Sequence, residues 1–389
     1  MPNAIVLQCG GPTATMNASL WGVISAWHQS GVDGTLWGGR HGLRALTTGD
    51  RVDLTRYEDP PGRRLEHQPG AVLGGGRDAL RDGEIDDAID RLLQAEIGIL
   101  FVVGGNGSMS AAETIGRHAA GALRVVGIPK TIDNDLLGTH VSPGYGSAAR
   151  FIAETVRDIA LDLRSMTGFE DVVLVETMGR HAGWLAAAGA LARKNASDAP
   201  HLILTPEVPF SEEAFLEAVR AHHAASGICL AVVAEGVRNE RHEFYAEKSD
   251  APVETDAAGQ KLFTRAGGPL PYLAPLVRER LNLRCRQVRP DTLQRASSAS
   301  ASQVDRMLAV MVGAEAVTCA LDRQSGVMIG IERIDRDWST TAIPLASVAG
   351  RERTLPPEFI DRDRLSVTSA FIDYAKPVIG TWRPDSIVV

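Results

Sequence analysis

The sequence predicts an α/β fold made of two doubly wound domains with mostly parallel sheets. Six short apolar runs end in or close to glycine, proline or polar residues, at 5–7, 97–103, 123–128, 172–175, 202–204 and 228–233. These runs do not alternate with polar residues, which indicates strands covered on both faces. Buried strands that alternate with helices are typical of parallel α/β sheets. The length of 389 residues allows more than one such domain.

The helices expected between these strands show periodic apolar residues. Residues 85–93 and 212–223 repeat apolar side chains at intervals of three and four, and Ser211 stands where an N-cap is expected. Ligand sites in such folds lie at the carboxyl ends of the strands. The loops that follow the apolar runs are therefore the places to look for chemistry.

Composition excludes several classes of partner. With 40 Lys and Arg against 48 Asp and Glu, the formal charge is -8. No global positive field exists to attract nucleic acid or an anionic membrane, so neither partner is expected. No apolar run approaches the roughly 18 residues of a membrane span, and no basic segment precedes the apolar N-terminus, so a cytoplasmic protein is expected. The four cysteines form no C-x-x-C pair and are expected to be reduced thiols.

Glycine-rich loops follow two of the predicted strands. Gly-Gly-Pro-Thr at 10–13 follows the first, and Gly-Gly-Asn-Gly-Ser at 104–108 follows the second. Turns of this kind can direct backbone N–H groups at a phosphate, although each also suits a tight βα turn. Neither matches the P-loop or the dinucleotide fingerprint. A third loop, Gly-Gly-Gly-Arg at 74–77, ends in a guanidinium suited to phosphate, and the set favours a polyphosphate ligand.

The segment 129–135, Pro-Lys-Thr-Ile-Asp-Asn-Asp, places two carboxylates two residues apart after a buried strand. In an extended segment residues i and i+2 share a face, so Asp133 and Asp135 are expected to point into one site. One carboxylate could accept a substrate proton while the other holds Mg²⁺. The same residues also suit an Asx turn at a strand end.

Two segments resemble the phosphofructokinase family of the bacterial glycolytic type. They are 129–135 and the sequence Glu-Thr-Met-Gly-Arg-His-Ala-Gly-Trp at 176–184, and the first is most similar to the pyrophosphate-dependent branch. The resemblance continues in consistent order over about residues 4–320. It implies an active site in the cleft between two α/β domains, and a homodimer or homotetramer.

The resemblance also implies roles for particular residues. Asp133 would be the general base, beside Lys130, and Thr131 and Arg180 would contact the transferring phosphoryl group. The metal, Mg²⁺, would be held by Asp135 and Asn106. The donor-phosphate residues would be Gly11, Arg77, Gly104, Gly105, Asn106, Gly107 and Ser108. The sugar-binding residues would be Met178, Gly179, Glu235, Arg286 and Arg295.

By the same resemblance, residues 1–138 would form the domain that binds the donor phosphate. Residues 139–389 would form the sugar-phosphate domain, with a segment at about 261–320 returning to the first. The implied reaction is Mg²⁺-dependent transfer of a phosphoryl group from ATP or pyrophosphate to the 1-hydroxyl of fructose 6-phosphate. Phosphoryl transfer requires positioning of the reactants and neutralisation of their negative charge more than covalent chemistry by the protein.

A few positions depart from the family pattern. Gly107 leaves open the space that an aspartate usually fills in pyrophosphate users, whereas Lys130 is typical of those users. The donor therefore stays open, with a slight preference for ATP. Asp171 stands where a cation is usual and Thr292 where His or Tyr is common, which leaves a different sugar or polyol as an alternative acceptor. A non-catalytic sugar-phosphate sensor is the other alternative.

Overall fold

The computed structural model describes residues 2–382 apart from 62–63, 77, 79, 196, 250–251, 256–262 and 264–266. The chain divides into two compact units. The first unit comprises Met1–Ser147 with Arg295–Arg353, and the second comprises Ala148–Gln294 with Thr354–Val389. The functional domains expected from the sequence, with a boundary after residue 138 and a returning segment at about 261–320, stay a prediction.

The strands, in chain order, are β1 (Asn3–Gln8), β2 (Leu36–Gly39), β3 (Arg51–Asp53), β4 (Ile97–Gly104), β5 (Arg124–Pro129), β6 (Val172–Thr177), β7 (Leu202–Leu204), β8 (Cys229–Ala234), β9 (Cys285–Val288), β10 (Val327–Ile334), β11 (Asp337–Pro344), β12 (Ile360–Asp361) and β13 (Ser366–Val367). All six predicted apolar runs overlap strands: β1, β4, β5, β6, β7 and β8. The prediction of a mostly parallel α/β fold is confirmed, because the pairings of these six strands within the described residues are all parallel.

The α-helices are α1 (Met16–Gln29), α2 (Arg44–Thr48), α3 (Asp82–Gln94), α4 (Asn106–His118), α5 (Tyr145–Ser165), α6 (Trp184–Ala188), α7 (Glu212–Ser226), α8 (Leu270–Leu281), α9 (Leu293–Ala296), α10 (Gln303–Leu321), α11 (Leu345–Val348) and α12 (Ser369–Ile379). Short 3₁₀ turns occur at Leu65–His67, Gly189–Ala192, Tyr245–Glu247 and Pro357–Phe359. The predicted N-cap is confirmed, since the Ser211 hydroxyl accepts a hydrogen bond from the Ala214 N–H at the start of α7.

In the part of the chain that the structure describes, the sheet of the first unit has seven strands in the order β11-β10-β5-β4-β1-β2-β3. The five strands from β10 to β2 run parallel, and β11 and β3 add antiparallel edges. The central strands β4 and β5 are almost wholly buried, as expected for strands with helices on both faces. The edge strands were not predicted, because they are short or half exposed and lack a continuous apolar run.

Among the described residues, the sheet of the second unit has four parallel strands in the order β7-β8-β6-β9. Its central strands β6 and β8 are buried along their whole length. A small antiparallel pair, β12 with β13, accompanies it. In both units the carboxyl ends of the central strands carry the loops that the sequence marks as chemical.

Other expectations concern the whole chain. All four cysteines are free thiols, as predicted. Among the described residues, every helix is too short or too polar to traverse a bilayer. The cytoplasmic location expected from the sequence stays a prediction.

Helices α1 and α10 of the first unit pack with their backbones in direct contact, because a glycine of each helix faces the other helix. A Cβ at Gly22 would overlap the Val310 carbonyl oxygen, and one at Gly313 would overlap the Ser19 carbonyl oxygen. Backbone atoms cannot rotate away as a side chain can, so this close approach requires glycine on both helices.

We expect Gly313→Ala to lower the free energy of unfolding by about 1–3 kcal/mol, because the added methyl forces the two helices apart. The matched control is Gly83→Ala near the start of α3, where a Cβ meets no described atom within 4 Å. The control should leave stability unchanged or raise it by up to about 1 kcal/mol. Urea midpoints measure both, and equal effects of the two substitutions would contradict the packing argument.

Candidate active site

Three predicted loops of the first unit lie at the edge of its sheet that is formed by the carboxyl ends of the parallel strands. Strands β5, β4 and β1 are neighbours and parallel, with Gly104 opposite Pro129 and Gln8 opposite Val103. The Gly10–Gly11 turn, the Gly104–Gly105 turn and Lys130 therefore all follow carboxyl ends that meet at the same edge.

Lys130 connects two of these loops. Its side chain is buried, and its ammonium Nζ donates a hydrogen bond to the Gly11 carbonyl oxygen at 2.8 Å. Its backbone N–H donates to the Gly104 carbonyl oxygen at 2.9 Å. The Gly10 backbone has a φ of +77°, and a Cβ there would lie 3.2 Å from the ammonium. The lysine thus holds the first turn and brings a positive charge to it.

A second cation lies against the same turn. A Cβ at Gly11 would lie 2.5 Å from a terminal guanidinium nitrogen of Arg295. The Gly10 N–H donates to the Gly76 carbonyl oxygen at 2.8 Å, which brings the third glycine loop alongside. Arg295, expected to bind the sugar, therefore lies in the first unit beside a residue expected to bind the donor. Arg77, predicted to bind donor phosphate, lies outside the described residues.

Helix α4 begins at the second glycine loop and directs its first N–H groups to this edge. These groups have no acceptor within the helix and suit an anion. Ser108 packs so closely on Gly104 that a Cβ at Gly104 would overlap it. A Cβ at Gly107 would meet no described atom within 4 Å, so the space above this position is open.

The structure brings the two predicted metal residues into contact. The Asn106 amide Nδ2 donates to Asp135 Oδ2 at 2.8 Å. Burial, followed by the negative charges of Asp133 and Glu352, raises the pKa of the Asp135 carboxyl to about 7. The hydrogen bond from Asn106 opposes this shift by favouring the ionised form.

Two buried oxygens at this contact could accept a cation. Asn106 Oδ1 and Asp135 Oδ1 are buried, and neither has a hydrogen-bond partner among the residues that the structure describes. Oxygen ligands and a small number of carboxylates fit Mg²⁺, which usually takes its remaining ligands from water and substrate phosphate. The described residues contain no cluster of three or more His, Cys, Asp or Glu that would hold a metal alone. These two oxygens therefore fit an Mg²⁺ ion that takes its other ligands from water and substrate, rather than an ion enclosed by protein ligands alone.

The acid segment turns rather than continuing as a strand. Strand β5 ends at Pro129, and Asn134 has a left-handed φ of +54°. The Asp133 N–H donates to Thr131 Oγ1 at 3.1 Å, and Asn134 Oδ1 accepts from the Ser142 N–H at 3.0 Å. The expectation of an extended segment was wrong. The carboxyls of Asp133 and Asp135 still interact, since the charge of Asp133 contributes to the raised pKa of Asp135.

In the second unit, the loop after β6 gathers three predicted sugar-binding residues. The Met178 N–H donates to Gln294 Oε1 at 2.9 Å, and the Gly179 N–H donates to Glu235 Oε1 at 3.3 Å. Gly179 has a φ of +126°, and a Cβ at Gly236 would overlap the Arg180 carbonyl oxygen. The loops 178–180 and 234–236 are therefore fixed against each other by backbone contacts. Gln294, to which the sequence analysis assigned no role, accepts the Met178 N–H and orients this residue.

A buried acid, Glu176, lies in β6 just before this loop. Glu176 lies one residue before the end of β6, and Arg289 Nε approaches its Oε1 at 3.4 Å. Burial raises the pKa of the Glu176 carboxyl to about 8, although the charge of Arg289 opposes the shift. Gly268 packs directly on this carboxyl, and any Cβ there would overlap it.

The remaining predicted sugar ligand, Arg286, lies elsewhere in the second unit. It pairs in register with Val173 near the start of β6, whereas Met178 follows the end of that strand. The strand rise separates the two positions by about 16 Å. Arg286 forms an ion pair with the buried carboxylate of Glu170. Within one chain, Arg286 is not brought together with Met178, Gly179 and Glu235.

Asp171 is neutralised by a residue that the sequence reasoning missed. The Arg284 guanidinium donates to both Asp171 oxygens, at 2.7 and 2.8 Å, and the Arg284 backbone N–H adds a third bond at 2.8 Å. These bonds lower the pKa of the Asp171 carboxyl to about 2. The two residues are 113 positions apart, and no local motif links them. The carboxylate is therefore already paired and does not stand exposed to an incoming phosphate.

The raised pKa of Glu176 predicts a pH-dependent stability. Between pH 4.5 and 8 the unfolded chain loses this proton while the folded chain keeps it, so stability falls as pH rises, by at most about 1.4 kcal/mol per pH unit. We expect Glu176→Gln to flatten this dependence in urea unfolding at pH 5 and pH 8. The control is Glu217→Gln on α7, whose side chain is 80% exposed. An unchanged pH dependence in Glu176→Gln would contradict the assignment.

Comparisons with known proteins show which family the chain resembles. Residues 3–320 match the family model described as Phosphofructokinase. A pyrophosphate–fructose 6-phosphate 1-phosphotransferase of Halomonas elongata is 36% identical over 97% of this chain and 91% of its own length. A sulfofructose kinase of Alkalicoccus urumqiensis is 34% identical over 91% of both chains. An ATP-dependent 6-phosphofructokinase of Mycobacterium tuberculosis is 30% identical over 92% of this chain and 97% of its own.

Solved structures show the same fold. The crystal structure of a pyrophosphate-dependent phosphofructokinase from Nitrosospira multiformis matches with a TM-score of 0.88 at 33% identity, covering 97% of this chain and 92% of that one. The family model spans most of the chain, and the named relatives align along nearly all of it. The chain therefore belongs to the phosphofructokinase family and is a phosphotransferase of that family.

Proposed function

We propose that this enzyme transfers a phosphoryl group from ATP or pyrophosphate to the 1-hydroxyl of fructose 6-phosphate, with Mg²⁺ as cofactor. The observation that carries the proposal is the acid pair after β5. Asp133 and Asp135 interact electrostatically, and Asp135 contacts Asn106 where two buried oxygens have no hydrogen-bond partner among the described residues. This arrangement offers a base and cation ligands at the sheet edge that also carries the glycine loops.

In the proposed reaction, Asp133 accepts the proton of the sugar 1-hydroxyl. The sugar oxygen forms a bond to the terminal phosphorus of the donor, and the bond from that phosphorus to the bridging oxygen breaks. ADP leaves when ATP is the donor, and phosphate leaves when pyrophosphate is the donor. A transfer of this kind depends on alignment and charge neutralisation more than on covalent catalysis.

Several groups would neutralise the donor. Lys130 brings its ammonium to the Gly10–Gly11 turn, and we assign it with Thr131 and Arg180 to the phosphoryl group in transfer. Backbone N–H groups of the glycine loops would bind the remaining phosphate oxygens. The residues that we assign to binding of the phosphoryl donor are Gly11, Arg77, Gly104, Gly105, Asn106, Gly107 and Ser108.

Asp135 and Asn106 would hold the Mg²⁺ through their buried oxygens Oδ1. When bound, the ion neutralises phosphate charge and fixes the geometry of the donor. Because Asn106 is uncharged, Asp135 supplies the negative charge of this pair. Its hydrogen bond from Asn106 keeps the carboxylate oriented.

We assign the sugar phosphate to Met178, Gly179, Glu235 and Arg295. The bonds from Met178 to Gln294 and from Gly179 to Glu235 support this, since they fix the loop backbone. Arg286, on β9 opposite Val173, is about 16 Å from that loop in the direction of the strands. We therefore propose that it serves the site of a neighbouring subunit in a homodimer or homotetramer.

A sulfonated sugar is the second candidate acceptor. The relative named as a sulfofructose kinase is 34% identical over 91% of this chain. Position 171, where the family resemblance leads us to expect a cation, carries an aspartate that is paired with Arg284. A sulfonate carries one negative charge fewer than a phosphate dianion. Sulfofructose therefore belongs beside fructose 6-phosphate in the assay below.

The donor is tested by assaying the purified enzyme with Mg²⁺ and each acceptor, once with ATP and once with pyrophosphate. We expect Gly107→Asp to weaken ATP use at least about tenfold relative to pyrophosphate use, because the side chain would occupy space now open that the larger nucleotide needs. Gly83→Asp, at another open glycine early in a helix, is the control. Equal effects on both donors would contradict the steric argument. Wild-type enzyme without turnover on either donor would overturn the proposed function.

The role of Asp133 is tested by Asp133→Asn, which keeps the shape and removes the base. We expect kcat to fall by about 10²–10⁴, while calorimetric donor affinity stays within about threefold. The control is Asp373→Asn on the exposed face of α12. Near-normal kcat in Asp133→Asn would remove Asp133 from the role of base.

A further inference from the structure

The loop that follows the acid pair is held by residues beyond the family match, which ends at residue 320. Residues 134–140 of the first unit contact the β10–β11 hairpin and the segment that ends at Arg353. Neither the motif at 129–135 nor the resemblance over residues 4–320 includes this segment. Its contacts are therefore additional to every role assigned above.

Arg353 makes the most extensive of these contacts. Its guanidinium Nε and one terminal nitrogen donate to the Asn134 carbonyl oxygen at 3.2 and 2.9 Å. The other terminal nitrogen donates to the carbonyl oxygens of Thr139 and His140 at 2.7 and 3.0 Å. Its backbone N–H donates to the Asp135 carbonyl oxygen at 2.7 Å. One side chain thus joins both ends of the loop.

The hairpin supports the far end of the same loop. The Ile331 N–H donates to Thr139 Oγ1 at 2.9 Å, and the His140 N–H donates to the Ile331 carbonyl oxygen at 2.7 Å. A Cβ at Gly138 would lie 3.0 Å from Ile343 on β11. The hairpin thus fixes His140, and Arg353 links this residue to the backbone of Asn134, between the two acids.

These contacts matter because the acid segment has no regular ladder of its own. Asn134 lies between the two acids in a left-handed conformation, with its carbonyl turned to the guanidinium. The conformation of the backbone at 134 and 135 determines how the side chains of Asp133 and Asp135 are directed relative to each other. Catalytic groups must be held to within about 0.5 Å of their working geometry. A guanidinium has five donors in a fixed fork, which a lysine ammonium cannot reproduce.

We propose that Arg353 is a positioning residue for phosphoryl transfer, fixing the backbone between Asp133 and Asp135 through the carbonyl oxygens of Asn134, Thr139 and His140. The role in transfer rests on the proposed function. The hold on the loop is a property of the fold and can be measured separately.

The test compares Arg353→Lys, which keeps the charge and loses the fork, with Arg193→Lys in the second unit. Arg193 is a matched control, since its half-buried guanidinium also donates to a carbonyl oxygen, that of Pro200, and to the Ser366 hydroxyl. We expect Arg353→Lys to lower kcat by about 10–100-fold with both KM values within about threefold. Arg193→Lys should leave kcat within about threefold of wild type.

Hydrogen exchange of the whole enzyme, read by mass spectrometry, supplies a measurement independent of turnover. In Arg353→Lys, peptides covering 131–144 should exchange faster, including the Ser142 amide that bonds Asn134. The same peptides should be unchanged in Arg193→Lys. For Arg353→Ala, millimolar guanidinium should restore part of the lost kcat, as expected if the missing group acts through its donors.

Normal kcat and normal exchange in Arg353→Lys would overturn the proposal, as would equal losses in the two lysine variants. If Arg353→Lys fails to fold, Thr139→Ala tests the same loop through its bond to Ile331, and unchanged kcat and exchange there would also overturn it. If the wild-type enzyme lacks turnover with both donors, the proposed function fails. The exchange comparison then still decides whether Arg353 holds the loop.

Discussion

A single buried carboxylate underlies the arrangement of the first unit. Asp305, fully buried in the first turn of α10, accepts hydrogen bonds from the Gly144 N–H, from the Ser147 N–H and hydroxyl, and from the Thr15 hydroxyl. Burial raises the pKa of this carboxyl, and the four donors oppose the shift by favouring the charged form. A buried acceptor of this kind is stable only while its partners stay in place. It therefore ties the loop after β1 and the start of α5 to one helix.

The acid pair depends on this anchor from one side and on Arg353 from the other. The Thr131 N–H donates to the Pro143 carbonyl oxygen, beside the segment that Asp305 holds. Arg353 fixes the following residues through their carbonyl oxygens. The segment between has a left-handed turn and no ladder of its own, so its geometry is imposed by neighbours. This is how an irregular loop can keep two like-charged groups near each other at the end of a strand.

Local electrostatics replaces the positive field that the chain lacks. The formal charge is -8, yet the Gly10–Gly11 turn is met by Lys130 and Arg295. In the second unit three acids in or beside β6 are each matched by a guanidinium: Glu170 by Arg286, Asp171 by Arg284 and Glu176 by Arg289. The first two pairs lie near the start of β6 and the third near its end. Cations are thus placed beside particular carboxylates and at the turn to which we assign donor phosphate.

The sequence alone determined the central strands, the loops at their carboxyl ends and the residues of the acid motif. Apolar runs and turn residues act over short stretches of chain, so their pattern can be read without knowing the fold. The contact of Asn106 with Asp135, the pairing of Asp171 with Arg284 and the hold of Arg353 on residues 134–140 join positions 29 to 219 residues apart. Only the tertiary structure decided these. A side chain of Asp or Arg has the same local signature whichever partner it finds, and the partner is fixed by which strands and loops the fold brings side by side.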